Sequence, residues 1–262
     1  MNDDKLKGLL WGSFLGDTYS SNDELSLYGK QMLWLLEYIT ESKVYDPFVF
    51  GDIWKKNMQQ HDEYIDKASS DTLVNLKSGR TYLGAGSASH DLSVVGRHAP
   101  IIFTLTGMDE MLESIKFHTC LTHMSKEAID ASKYIAEVTL AMIYNLDISN
   151  TLQERAKFYG KEIEAEVEKG FSLKDKPFKM VLKTLGTGSD INGALALTVY
   201  LLLNHHEDFD TLLQQNLKAG GDSAARGMVA GMILGARYGF EKIVPKWIEE
   251  VKEYEALSRL IP

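Results

Sequence analysis

The residues best equipped for chemistry stand together in the run Gly220-Gly221-Asp222-Ser223-Ala224-Ala225-Arg226. A carboxylate, a hydroxyl and a cation at one helix mouth suit a metal ion or a phosphate group, because the first helical N–H groups point outward with no partner of their own. A purely structural reading fits the same residues. Two glycines let the backbone turn, Asp222 caps a helix, and Gly227, Ala230, Gly231, Leu234 and Gly235 give that helix a face of small side chains that packs close to a neighbour. Arg226 lies four residues after Asp222 and so shares its helix face, where it either answers a phosphate or pairs with Asp222.

Other candidates are spread along the chain. Glu24 follows Asn22 and Asp23, which makes it either a site carboxylate or part of a solvated acidic loop. Asp190 and Asn192 open an apolar segment directly after Gly186-Thr187-Gly188-Ser189, a loop able to turn backbone N–H groups toward a phosphate. His123 stands just before a capped helix, and Asp17 is placed to order the loop after the first helix. Residues 78–98 mix Gly79, Gly84, Gly86 and Gly96 with Ser87, Ser89, His90, Asp91 and Ser93; such a polar loop either lines a pocket or runs over the surface. Cys120, the one cysteine, has no disulfide partner, cannot build a thiolate zinc cluster and reads as a core residue. His205-His206 reads as a surface pair.

The elements that must position these groups are helices. Leu6, Leu9, Leu10 and Phe14 behind Asp3 and Asp4, and then Met32, Leu35, Leu36 and Ile39, repeat at the spacing of a helical stripe. Ser125 caps Ala128, Ala131, Ile135, Val138 and Met142, while Thr151-Leu152-Gln153-Glu154 has the form of a capping box ahead of Ala156, Ile163 and Val167. Asp190 and Asp208 open two further helices, the first apolar on every side and therefore buried, and Pro245 stands where a first-turn proline would before residues 247–258.

With 5 prolines and 21 glycines in 262 residues, gathered mostly at segment ends, the chain lacks the frequent turn signals of a many-stranded β fold. No repeat and no Ser/Gly/Pro-rich linker divides it, so one domain over residues 1–262 is expected. There are 28 basic and 37 acidic residues, a net charge of −9, without a Lys/Arg-rich run, which argues against a nucleic-acid polymer as partner. The longest apolar stretch, 193–203, is far short of the roughly 20 residues that cross a bilayer. No basic flank precedes an apolar core at the N-terminus, and an intracellular, cytoplasmic protein without membrane attachment is expected.

Gly220-Gly221-Asp222-Ser223, the later Gly235-Ala236-Arg237-Tyr238-Gly239 and Ile243-Val244-Pro245-Lys246-Trp247 together resemble the late element of the ADP-ribosylglycohydrolase superfamily. Gly8-Leu9-Leu10-Trp11-Gly12-Ser13-Phe14-Leu15-Gly16-Asp17 is similar to its opening helix, and Glu24 falls where its site glutamate does. Leu121-Thr122-His123 and Arg97-His98-Ala99-Pro100 resemble its shorter motifs. Tyr28-Gly29-Lys30-Gln31 and the late Ala224-Ala225-Arg226 are closer to a divergent branch that contains the J1 crystallins and selenoprotein J.

The resemblance implies an all-α, compact, orthogonally packed helical domain that handles ADP-ribose, free or attached to protein. It implies catalytic roles for Asp222 and Glu24 and ligand contacts from Ser223, Arg226, His123, Arg97, Asp190 and Asn192. The superfamily's active enzymes hold two magnesium ions between an early Thr-Asp-Asp and a late Asp-x-Asp-Thr. Here the early carboxylates are missing around Tyr28-Gly29-Lys30, and Ala224 and Ala225 replace a late aspartate and threonine, so the implied magnesium site is degenerate, with Asp222 as its candidate ligand. Two functions follow from the resemblance: a hydrolase of a glycosidic bond in ADP-ribosylated protein or a related nucleotide sugar, and an inactive nucleotide-binding or crystallin-like structural module. Lys30, Arg97 and Arg226 would offset the acidic charge near an anionic ligand if they converge.

Overall fold

The computed structural model describes residues 3–21, 23–243 and 251–261. Its α-helices, in order, are α1 (Asp3–Thr18), α2 (Leu27–Ser42), α3 (Pro47–Gln60), α4 (Lys67–Lys77), α5 (Ala99–Thr104), α6 (Met108–Thr122), α7 (Lys126–Ile143), α8 (Ile148–Ala156), α9 (Lys161–Ser172), α10 (Phe178–Leu185), α11 (Ile191–His205), α12 (Phe209–Ala219), α13 (Ser223–Tyr238) and α14 (Tyr254–Leu260). No β-strand occurs among the described residues; two isolated bridges, Ser87 with His123 and Asp91 with Asp190, tie loops together. No described helix is long and apolar enough to cross a membrane.

The centre is the pair α1 and α13, which run antiparallel with their glycines facing. Gly8, Gly12 and Gly16 lie against Gly235, Gly231 and Gly227 so closely that a Cβ on Gly16 would stand 2.0 Å from the carbonyl oxygen of Gly227. Side chains cannot fit there, so the two backbones touch and nearly the whole of each helix is buried. The small-residue face read from the sequence is thus one half of a two-sided contact. Helix α11, with Leu195, Leu197, Leu201 and Leu202 fully buried, closes the other side of the core. Lys5, buried at the start of α1, donates to the carbonyls of Met142 and Ile143 at 3.0 Å and so satisfies the C-terminal end of α7.

Caps set most helix starts as the sequence indicates: Ser125, Asp190, Asp208 and Asp222 accept from the backbone N–H groups of Ala128, Asn192, Thr211 and Ala225. One expectation is corrected. Thr151 does not open a helix; α8 begins at Ile148 behind the cap Asp147, and the Thr151 hydroxyl turns back to the Asp147 carbonyl at 2.6 Å. Ile163 and Val167 belong instead to α9, entered through Gly160 at φ +88°. The expected helix start at Pro245 lies outside the described residues.

Candidate functional site

The polar loop at 78–98 forms one wall of a cleft of about 300 Å³; Ser87, Ser89 and Asp91 line it, facing Asp190 across the gap and Lys67 and Asp71 from α4. The facing wall is the loop between α10 and α11. Backbone bonds hold the two together, Leu92 N–H to the Ser189 carbonyl at 2.8 Å and Ile191 N–H to the His90 carbonyl at 2.9 Å. Asp190 caps α11 and lies 3.2 Å from His90 Nδ1, while Asn192 is exposed at a break in the helix where Gly193 adopts φ +106°. A buried carboxylate, Glu166, accepts the Gly193 N–H at 2.6 Å and fixes that break.

Asp222 sits behind the second wall. Its N–H donates to the Thr187 carbonyl at 3.2 Å, which is possible because Gly221 has φ +63°; a Cβ there would stand 1.7 Å from the same oxygen. The Asp222 carboxylate accepts from Ala225 N–H at 3.2 Å and from the Tyr28 hydroxyl at 3.4 Å. Burial, with the nearby Asp91 charge, pushes its carboxyl above the ordinary range. Asp91 goes the other way. Burial opposes its ionisation, yet His123, Ser89 and Ser93 hold it well below the usual carboxylate range. The Ser89 hydroxyl donates to it at 2.6 Å, the Ser93 hydroxyl donates to its other oxygen, and His123 Nε2 lies 3.1 Å away, near but poorly aligned for a hydrogen bond.

Asp17, at the end of α1, is fully buried and accepts the Ser26 N–H at 2.8 Å and the Ser26 hydroxyl at 2.5 Å. It orders the loop after the first helix, and burial pushes its carboxyl up to about 7.

A model of the family described as ADP-ribosylglycohydrolase matches residues 2–261. The chain belongs to the ADP-ribosylglycohydrolase family. It is 24% identical over 239 residues to an uncharacterized protein of Archaeoglobus fulgidus, a span that covers 88% of this chain and 76% of the relative. A solved structure described as an ADP-ribosylglycohydrolase-related protein complex superposes with a TM-score of 0.79 at 18% identity, over 99% of this chain and 96% of the other. The all-α architecture is therefore that of the ADP-ribosylglycohydrolase fold.

The candidates are not all gathered in one place. Of the sequence candidates only Asp190 lines the cleft; Asp222 lies behind its facing wall, bonded to Thr187, and His123 lies against Asp91. Ser223 is buried and its carbonyl accepts from Asn216 at 2.7 Å. Arg226 is also fully buried and makes no ion pair with Asp222: it donates to Asn216 Oδ1 at 3.1 Å and to the carbonyls of Thr187 at 3.2 Å and Gly220 at 2.5 Å. The i,i+4 rule applies inside a helix, whereas Asp222 is the cap, with its side chain turned back onto Ala225. Arg97 is likewise buried, donating to Gln31 and to Thr122 Oγ1. Lys30 pairs with Glu63 at 2.7 Å, so the three cations do not converge on one ligand. Glu24 is exposed and paired with Lys252, and no hydrogen bond or ion pair joins it to Asp222 among the described residues.

Nor does the donor set suit a magnesium pair in the ADP-ribosylglycohydrolase manner. Among the described residues no group of three or more His, Cys, Asp or Glu side chains is arranged to hold a metal ion. In the early element Tyr28 puts a phenol against Asp222, and Gly29 leaves room only for Asp17, whose Oδ2 would lie 2.1 Å from a Cβ there. Two magnesium ions held side by side need carboxylates that converge on both, and the described residues bring no such set together.

Tyr28 and Asp91 are noted in the sequence only as parts of a motif and a polar loop, and Asp71 not at all; none of the three is chosen there as a site residue. Their signal was faint: Asp91 shows only a serine two residues to either side, the spacing of side chains that fold back onto one carboxylate.

Proposed function

We propose that the chain hydrolyses a glycosidic bond of an ADP-ribose-linked substrate, with Asp222 as the proton-handling group and without a dinuclear magnesium centre. One observation carries this reading. Asp91, which lines a cleft of about 300 Å³, and Asp222, behind the cleft's facing wall, have carboxyls displaced in opposite directions by their surroundings. Such a split marks a carboxylate kept as a fixed charge and another that exchanges a proton. In hydrolysis the bond between the anomeric carbon and the leaving nitrogen or oxygen breaks as water adds to that carbon. Asp91 would face the developing oxocarbenium charge, and Asp222 would take the water's proton and return it to the leaving atom. The family assignment supports the substrate class, and a cleft of this size is within the range of small-molecule sites. Glu24, expected as the second catalytic carboxylate, is replaced in this reading by Asp91.

A second reading, an ADP-ribose-binding or structural module without turnover, is favoured by the Lys252 pairing of Glu24 and by the phenol that occupies one side of Asp222. Calorimetry with ADP-ribose, with and without magnesium, on the native protein and on Asp222→Ala separates them, together with release of ADP-ribose from modified protein. Binding with release, unaffected by magnesium and lost in Asp222→Ala, is the expected result. Binding without release favours the module, and no binding under either condition removes the ADP-ribose assignment.

A further inference from the structure

His123 ends α6 fully buried, and each of its ring nitrogens faces a named group. Nδ1 lies 2.8 Å from the Thr122 hydroxyl, and Nε2 lies 3.1 Å from Asp91 Oδ1. The Thr122 hydroxyl already accepts from Arg97 Nη2 at 2.8 Å, and Arg97 is itself fixed on Gln31, whose Oε1 also accepts from Trp54 Nε1 at 2.7 Å. A guanidinium only donates, so Thr122 receives from Arg97 and has its own proton left for Nδ1. A carboxylate only accepts, so the nitrogen that faces Asp91 is the one that carries hydrogen. Both sides of the ring therefore call for one tautomer, with Nδ1 bare and Nε2 protonated. Among the described residues Nε2 has no aligned hydrogen bond, and Asp91 Oδ1 is the acceptor open to this buried donor.

We propose that His123, as the Nε2–H tautomer, is a positioning residue for Asp91, donating to its carboxylate and fixing where that charge stands in the cleft. This rests on the reading of Asp91 as the fixed charge of the site. Ser89 and Ser93 also hold Asp91, but they belong to the same loop and move with it. His123 ties the carboxylate to the end of α6 instead. The backbone supports the same tie on both sides of the ring, Ser87 N–H donating to the Thr122 carbonyl at 2.9 Å and Met124 N–H to the Ser87 carbonyl at 2.8 Å. The ligand contact expected of His123 is thus replaced by a contact to protein, and Arg97 acts on the ring through Thr122.

The ring is tested first, by nitrogen-15 NMR of the ligand-free native protein at neutral pH, with the His123 signals assigned by their loss in His123→Gln. Nε2 should couple to a proton and Nδ1 should not. Asp91 is tested second, by its carboxyl carbon-13 resonance at the same fixed pH, assigned by its loss in Asp91→Asn. His123→Leu, which fills the space without a donor, should displace that resonance. His123→Gln, whose side-chain N–H reaches the place of Nε2, should return it toward the native position. In release of ADP-ribose from modified protein, kcat should fall about 10-fold in His123→Leu with KM little changed, the weight of one hydrogen bond to a charged group, and recover in His123→Gln. A proton on Nδ1, alone or together with one on Nε2, overturns the proposal. So does an Asp91 resonance unmoved in His123→Leu, or one displaced as far in His123→Gln. The native ring spectrum needs no variant, so it decides the tautomer even if His123→Leu does not fold. Should native protein release no ADP-ribose, the functional reading falls alone, and the ring and carboxyl spectra still decide whether His123 holds Asp91.

Discussion

A Cβ placed on Gly12 would lie 2.1 Å from the carbonyl oxygen of Gly231, and one placed on Gly231 would lie 2.0 Å from that of Gly12. Backbone therefore meets backbone where α1 crosses α13, and neither helix can move aside without opening the core on its far face. Gly12→Ala should cost about 3 kcal/mol, the upper end of ordinary overpacking, because the obstacle is the Gly231 main chain and not a flexible side-chain tip. Urea denaturation measures this. A cost below about 0.5 kcal/mol, the level of a surface substitution, would show that the contact is looser than described.

Asp17 makes stability depend on pH in a stated direction. Burial pushes its carboxyl up to about 7, from an ordinary 3.8, so the fold favours the neutral form. That contribution is fully present below about pH 4 and is lost as pH rises through about 7. From about pH 5 to about pH 8 the native protein should lose roughly 3 kcal/mol from this group, and Asp17→Asn, neutral throughout, should not. Denaturant midpoints at the two pH values test it, and parallel slopes for both proteins would contradict it.

His98 and His118 produce the opposite trend. Their rings are 5.2 Å apart and fully enclosed, and burial, with the Arg97 charge nearby, holds both well below the ordinary histidine range. A depressed histidine contributes stability above its unfolded value of about 6.5 that is lost as pH falls. In the Asp17→Asn background, where the competing trend is gone, His118→Phe should flatten the loss of stability between about pH 6.5 and pH 5. An unchanged acid limb, followed by circular dichroism, would mean that other groups govern it.

Asp222 caps α13 and is the proton-handling group of the proposed mechanism, and two substitutions separate the two roles. Asn is as good a cap as Asp, so Asp222→Asn should leave the thermal midpoint nearly unchanged while lowering turnover of an ADP-ribosylated substrate by ~100-fold or more, the usual weight of a general acid–base group. Asp222→Ala should lose about 1 kcal/mol of stability as well. Turnover retained in Asp222→Asn would reassign the proton-handling role.

Much of the helical framework was legible in the residues because it depends on local spacing. Ser125, Asp190, Asp208 and Asp222 cap their helices as their positions before apolar runs indicate, and the glycine steps of α1 and α13 announce close contact without naming the partner. Thr151 misled because a capping-box spelling recurs inside helices, and only the competing cap at Asp147 decides where α8 starts.

The sequence by itself determined a helical chain and its membership signals, and it singled out Asp222 as the residue on which the proposed site is built. Which groups meet Asp222 was decided by the tertiary structure alone. Tyr28 arrives from α2, Asp91 from a loop pinned by His123 and Ser93, and Arg226, its close neighbour in sequence, is drawn away to the carbonyls of Thr187 and Gly220. Spacing along a chain governs hydrogen bonds within a turn of helix. Burial, charge and hydrogen bonds from distant residues, which together set the direction of the carboxyl shifts here, depend on what other segments bring near.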